Sequence, residues 1–264
     1  MGIAREVEGD MIGILAIETA TDACSVAVCL DGEIRERHAV EPRRHSQLLF
    51  SMLEELLPGG NLVAHGIQAI AYGCGPGSFT GLRIAASAVQ GLAYSCELPA
   101  VAISTLAVLA QGALRQGVIN AQDTVLCTLD ARINEVYCAV YAFADGLAVL
   151  KEGPWACAPA ELSPATAGPF VALGSGCHFL DQFPASLRSR ITSSAPALLP
   201  AARDAIPLAQ AKIRSGDIQA SRLVQPVYVR DEISWKKLAQ QGRSPQRAGG
   251  LAASIHSIPS TEAE

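Results

Sequence analysis

The rhythm of hydrophobic and polar positions changes several times along the chain. An unbroken apolar run over residues 12–17 predicts a buried strand, and residues 18–22 are a polar turn. Residues 23–30 alternate well enough for a second strand, Asp31-Gly32 supplies a hairpin turn, and residues 33–40 form a third strand. After Pro42, Leu48, Leu49, Met52, Leu53, Leu56 and Leu57 make one broad helical stripe, stopped by Pro58-Gly59-Gly60. A strand at 67–72 runs into a glycine-rich loop, and a helix at 81–95 follows. Glu97-Leu98-Pro99 ends that helix, residues 100–103 return to a strand, and Ser104 is placed to cap a helix over 105–115. A three-strand meander feeding strand–helix units implies an α/β fold with a mixed sheet and helices packed on it.

The same opening comes again. Residues 124–129 read as a strand, Asp130-Ala131-Arg132 as a turn, residues 135–143 as a second strand, and Asp145-Gly146 turns into a third run at 147–150. Two halves that each begin with a strand, an acidic turn and a hairpin point to an internal duplication. Residues 153–200 are rich in Pro, Ala and Ser, with a strand at 170–173 leading into Gly174-Ser175-Gly176; 201–215 fits a helix. The expected domains are 11–108 and 109–232, with a late helix returning to the first. Residues 233–264, small, polar and punctuated by Pro and Gly, are expected to be disordered. The polar first ten residues do not read as a secretory signal, and Met11 is an alternative start.

Composition narrows the function. Of 264 residues, 50% are hydrophobic and only 5% aromatic, so the core rests on Ala, Val, Leu and Ile. The net charge of −5 gives no global attraction to nucleic acid, so any RNA role needs a local patch or a basic partner. No apolar run reaches the length of a membrane span. The eight cysteines contain no C-x-x-C pair, and several sit in strand-like runs, as buried reduced thiols of a cytoplasmic protein would.

The glycine loop, "YGCGPGSFTGLRIAAS" from Tyr72, is the main candidate for chemistry. Gly75, Gly77 and Gly81 permit the backbone shapes of a phosphate cradle ahead of a helix N-terminus, and Ser78 and Thr80 offer hydroxyls. Leu82-Arg83 after Gly81 is not the Lys-Ser/Thr of a Walker loop, and no acid closes the next strand as a dinucleotide site requires. The other reading is a tight strand-to-helix turn that needs glycine for close packing. Beyond the loop, Gly81, Ala85, Ala86, Ala88, Gly91 and Ala93 line a helix that also carries Leu82, Ile84, Val89 and Leu92. Such a helix packs on its own sheet or offers a surface that a second chain completes.

The segments "ILAIETATDACSVAV" from Ile14, "HSQLL" from His45, "GPGSFTGLRIAAS" from Gly75, "STLAVLA" from Ser104, "LDARINEVYCAVY" from Leu129 and "PVYVRD" from Pro226 resemble, in this order, the TsaB (YeaZ) family. The loop segment alone is shared with the related TsaD family. The resemblance implies a two-domain fold of the actin/Hsp70-like ATPase superfamily. It also implies a role in forming threonylcarbamoyladenosine at adenosine 37 of ANN-decoding tRNAs, in the cytoplasm. There the family binds TsaD, the catalytic subunit, is joined by the ATPase TsaE, and meets tRNA only through the complex.

Several residues bear on whether this chain would itself be catalytic. TsaD-like catalysis uses an H-x-x-x-H pair on the helix after the glycine-loop helix, but "ISTLAVLAQGALRQG" here holds no His, Asp, Glu or Cys, so no metal site is expected. The nucleotide turn of actin-like ATPases carries a glycine, whereas this chain has Glu18-Thr19-Ala20-Thr21. A weak or vestigial nucleotide site, shared with a partner and able to take ATP or ADP, stays open, with Gly75, Gly77, Ser78, Thr80, Glu18 and Asp130 as candidate contacts. Glu18 and Asp130 would face each other across the cleft or serve as turn residues. His45 is expected to cap or pack, Arg132 and Glu135 to pair across a hairpin, and Ser78 lacks a nucleophile elbow. The expected function is a non-catalytic scaffold with no resident cofactor. Leu49, Met52, Leu53, Leu56, Ile84, Ala85, Ala88 and Leu92 would form the partner interface, through which the free protein would self-associate. The rival readings are a stand-alone ATPase or glycoprotease-like metallopeptidase, and a homodimeric regulator unrelated to tRNA.

Overall fold

The computed structural model describes residues 12–230. The expected leader with its alternative start at Met11 and the expected disordered tail lie outside these residues. The first half contains β1 (Ile14–Glu18), β2 (Ala23–Leu30), β3 (Glu33–Val40), α1 (His45–Leu56), β4 (Ala69–Gly75), α2 (Phe79–Ser95), β5 (Ala100–Ser104) and α3 (Thr105–Arg115). The second contains β6 (Val125–Arg132), β7 (Glu135–Ala144), β8 (Leu147–Cys157), β9 (Phe170–Leu173), α4 (Ala185–Arg188), β10 (Ile191–Ala195) and α5 (Ala202–Arg214).

The two sheets have one topology. The first runs β3-β2-β1-β4-β5 and the second, read from its β8 edge, β8-β7-β6-β9-β10. In each, the first three strands are antiparallel and the last two join parallel to the first. The duplication is therefore legible in strand order although the two halves scarcely match in sequence.

Strand β1 is buried on both faces, which is why its pattern is continuous rather than alternating. Leu15 and Ile17 face the core under α1 and α2, while Ile14 and Ala16 face Val108 of α3 and Ala205, Ile206 and Ala209 of α5. Helix α3 also covers Val125, Cys127 and Leu129 of the second sheet, so it lies between the sheets. The far face of that sheet closes over Phe170, Phe183 and Leu187. Arg115 of α3 and the buried Asp204 of α5 form a two-pronged ion pair, Nε–Oδ1 2.5 Å and Nη2–Oδ2 3.1 Å, that ties these two helices together.

Several expectations are corrected. Strand β10 and helix α4 were not foreseen: "ITSSA" of β10 carries one large apolar residue at a sheet edge, and α4, "ASLR", is only four residues long. Ser104 stands at the N-cap of α3, but its hydroxyl lies 3.2 Å from the Tyr141 hydroxyl and makes no cap bond. Arg132 and Glu135 are opposite in register, yet Arg132 pairs with Asp130 and Glu135 with Arg230. Most consequential, Leu49, Met52, Leu53, Leu56 and Ala85 are buried in the chain's own core and are not available to a partner. Each large apolar side chain withdrawn from water there stabilises the fold by about 2 kcal/mol, so these positions belong to the sheet-facing stripe. Ile84, Ala88 and Leu92 are only half-buried.

Candidate functional site

The glycine loop joins β4 to α2 and packs against the turn after β1. Its glycines are explained by that packing. A Cβ on Gly73 would fall 2.0 Å from Glu18 Oε2, one on Gly77 2.4 Å from the Ala20 carbonyl oxygen, and one on Gly81 2.0 Å from that of Thr19. Gly75 has φ +122°, and its Cβ would lie 2.7 Å from the Val227 carbonyl oxygen. Hydrogen bonds close the seam. Ser78 N donates to Ala20 O at 2.7 Å, Thr19 Oγ1 donates to Gly81 O at 2.8 Å, and Ser78 Oγ caps α2 by accepting from Gly81 N at 3.3 Å. A phosphate cradle presents free amide groups around an open space; here the space beside Gly73, Gly75, Gly77 and Gly81 holds the chain's own atoms. Thr80 is exposed.

Glu18 ends β1 fully buried. Its Oε1 accepts from Ala20 N at 2.7 Å, and its Oε2 has no hydrogen-bond partner. Burial pushes the carboxyl from 4.5 up to about 7, against the opposing pull of the Ala20 amide, the nearby Thr105 hydroxyl and the Thr19 amide. The Thr105 hydroxyl lacks hydrogen-bond geometry to any group, so its influence is one of proximity. Burial also raises the neighbouring Cys24 and Cys74 thiols to about 11, with the Glu18 charge adding to it. Asp130 is engaged elsewhere: its Oδ1 accepts from Arg132 N at 2.7 Å, and its own amide donates to Ser175 Oγ at 3.0 Å. Glu18 and Asp130 each serve their own turn and share no bond. His45 is buried at the start of α1, where Nε2 donates to the carbonyls of Thr21 at 2.8 Å and Ala23 at 3.2 Å, locking the helix to that same turn.

A feature the sequence reading did not single out crosses this region. Residues 225–230 form a strap from the first half to the second. Tyr72 Oη receives the Gln225 amide at 3.3 Å and donates to the Gln225 carbonyl at 3.2 Å; Val227 N donates to Cys74 O at 2.7 Å. Tyr228 stacks 5.6 Å from Phe79, its hydroxyl accepts from Arg83 Nε at 3.2 Å, and Arg83 lies over the Phe79 ring. Arg230 then reaches Glu135 and the Ala131 carbonyl on the β6–β7 hairpin. Residues 226–230 of the segment "PVYVRD" lie in this strap, and their place in the motif order was their only signal.

The outer faces of α1 and α2 are the remaining candidate. Phe50 on α1 is 55% exposed and Tyr94 on α2 is 77% exposed. Ile84, Ser87, Ala88 and Gly91 follow the helical repeat along the outer side of α2. A Cβ on Gly91 would meet nothing within 4 Å. Glycine inside a helix costs about 1 kcal/mol relative to alanine, and no contact within this chain offsets that cost. Phe50 and Tyr94 were missed because the core stripe drew attention to the opposite side; the helical period assigns Phe50, next to core residue Leu49, to the outer face.

Two halves of one sheet topology, the first carrying the strand-to-helix glycine loop, define an α/β protein with a duplicated, actin-like fold. The family model for TsaD, tRNA N6-adenosine threonylcarbamoyltransferase, matches residues 39–176. The tRNA threonylcarbamoyladenosine biosynthesis protein TsaB of Escherichia coli K12 is 38% identical over 229 residues, spanning 85% of this chain and 97% of that protein. Its namesake in Haemophilus influenzae is 31% identical over 236 residues, spanning 85% and 96%. The solved structure of YeaZ from Pseudomonas aeruginosa superimposes with a TM-score of 0.76 at 34% identity, covering 83% of this chain and all of that one. The chain belongs to the TsaB family. Among the described residues, no group of three or more His, Cys, Asp or Glu could hold a metal ion, and no helix is long and apolar enough to cross a membrane.

Proposed function

We propose that this chain is a non-catalytic subunit of the machinery that places threonylcarbamoyl on adenosine 37 of ANN-decoding tRNAs, and that it works by docking a TsaD-type catalytic partner on the outer faces of α1 and α2. The names of its relatives in Escherichia coli and Haemophilus influenzae support the tRNA-modification role. The observation that carries the docking role is the outer stripe of α2, in which Gly91 has no contact to justify it. A small-residue stripe lets a partner helix approach closely, and exposed Phe50 and Tyr94 supply the apolar area that such an interface buries. The filled glycine loop supports the non-catalytic part of the reading, since the Ser78 amide is taken by the Ala20 carbonyl and the Gly81 amide by Ser78 Oγ. No resident cofactor is proposed, TsaE joins through the complex, and tRNA is met through the catalytic partner. Free protein uses the same α1/α2 surface for self-association.

Deletion of the gene is expected to abolish threonylcarbamoyladenosine in bulk tRNA, with wild-type protein restoring it. A Tyr94→Glu, Ala88→Asp double variant should fold normally, fail to co-purify with the partner and fail to restore the modified nucleoside. Full restoration by that variant would contradict the docking surface. Unchanged nucleoside levels after deletion would contradict the pathway.

A further inference from the structure

Away from the loop and α2, the second sheet brings two thiols together at its edge. Cys138 lies on β7, opposite Trp155 of β8 in the antiparallel register. Cys157 is two residues past Trp155, so it projects from the same face as Cys138 at the diagonal position across the ladder. The two Sγ atoms are 4.0 Å apart, and neither thiol is bonded to another. Cys138 is fully buried and Cys157 half-buried. A disulfide has an S–S length of about 2 Å, so bond formation needs the sulfurs to close by a further ~2 Å. Strand β8 is the edge of its sheet, and its pairing with β7 shifts register between Cys138 and Val140 and again before Tyr141. The strand carrying Cys157 therefore has no second neighbour to hold it against that movement.

The surroundings give the two thiols different roles. The Cys138 S–H donates to the Trp155 carbonyl oxygen at 3.6 Å, and its contact with Cys157, in which either thiol can be the donor, lowers the Cys157 thiol from its ordinary value. The Trp155 side chain acts in the same direction, against burial and the carboxylates of Glu161 and Glu135. The same contact, together with burial, holds Cys138 well above its ordinary value. The half-buried member is thus the better thiolate and the fully buried one the proton donor and second nucleophile.

We propose that Cys157 and Cys138 form an oxidation site for hydroperoxides, with Cys157 the attacked thiol and Cys138 the resolving one. The Cys157 thiolate attacks one peroxide oxygen, the O–O bond breaks, and a sulfenic acid forms as hydroxide leaves. The Cys138 sulfur then attacks the sulfenic sulfur, the S–OH bond breaks, and a Cys138–Cys157 disulfide forms as water leaves with the Cys138 proton. Sulfur gives up two electrons and the peroxide takes them. A cellular dithiol returns the pair to the reduced state by exchange. Cys96 is the built-in comparison: it is also half-buried, but its recorded sulfur contact is to the Ser95 hydroxyl at 3.7 Å rather than to a second thiol.

The reduced full chain, exposed to limiting hydrogen peroxide and then alkylated, should yield a peptide pair linked through Cys138 and Cys157 before Cys96 is appreciably oxidised. In Cys138→Ser, Cys157 should stop at a sulfenic acid that dimedone traps; in Cys157→Ser, Cys138 should stay alkylatable. The wild-type measurement needs no variant to fold. Wild-type protein without the linked pair once half of Cys96 has been oxidised would overturn the proposal. So would dimedone trapping at Cys157 that is equal with and without Cys138.

Discussion

At the start of α2 a Cβ on Gly81 would sit 2.0 Å from the Thr19 carbonyl oxygen, whereas on Gly91, about three turns further on, it would meet no atom within 4 Å. Both are glycines in one helix, and both look alike in the sequence. The first is required by the fold, because two backbones touch there and no side chain fits. The second has no such cause within the chain, and in the proposed reading it is where a partner helix approaches. The same contrast separates the glycine loop, packed with the protein's own backbone, from the outer stripe of α2, which is bare.

The contrast breaks first at Gly81. Gly81→Ala should destabilise the fold by about 3 kcal/mol or more, because both the added carbon and the atom it meets belong to rigid backbone. A urea midpoint unchanged from wild type would mean that the loop is not seated on the β1 turn. Next is Glu18, sealed under that turn. Its carboxyl has a folded pKa of about 7 against an ordinary 4.5, so the folded chain keeps a proton that the unfolded chain releases. That contribution is fully present below pH 4.5 and is lost as pH rises to about 7, up to about 3 kcal/mol. Glu18→Gln cannot release this proton. The wild-type-minus-variant difference in unfolding free energy should therefore fall with rising pH across that window, and a flat difference would place Glu18 in contact with water. The smallest effect is at Gly91. Gly91→Ala should stabilise the free protein by about 0.5–1 kcal/mol, whereas a loss of stability would reveal a contact inside the chain.

Much of the fold was legible from residue pattern. The positions of β2 and β3, the Asp31-Gly32 turn and the broad stripe of α1 each follow from period and turn chemistry, although β2 is buried on both faces instead of alternating, and the repeated strand–turn–hairpin opening announced the second half. The site was legible as a location and ambiguous as a function. "GCGPGSFTG" specifies glycines, and only the fold shows that Thr19, Ala20 and Val227 occupy the space beside them. Of the eight residues expected at a partner surface, five are buried in the chain's own core. Hydrophobicity selects the sheet-facing stripe of an amphipathic helix, so Leu49, Met52, Leu53 and Leu56 stood out precisely because they are core, with Ala85 beside them. The Arg115–Asp204 pair joins positions 89 residues apart, and no local pattern links them.

The central claim, that the outer side of α2 is kept clear for a TsaD-type partner, is tested most directly by titrating that partner with Gly91→Leu and wild-type protein while following the thermal stability of each free chain. The account predicts a free variant at least as stable as wild type and an affinity weakened at least about tenfold, since an isobutyl group would stand where the partner helix must approach. An affinity equal to wild type, with the variant folded, would contradict it.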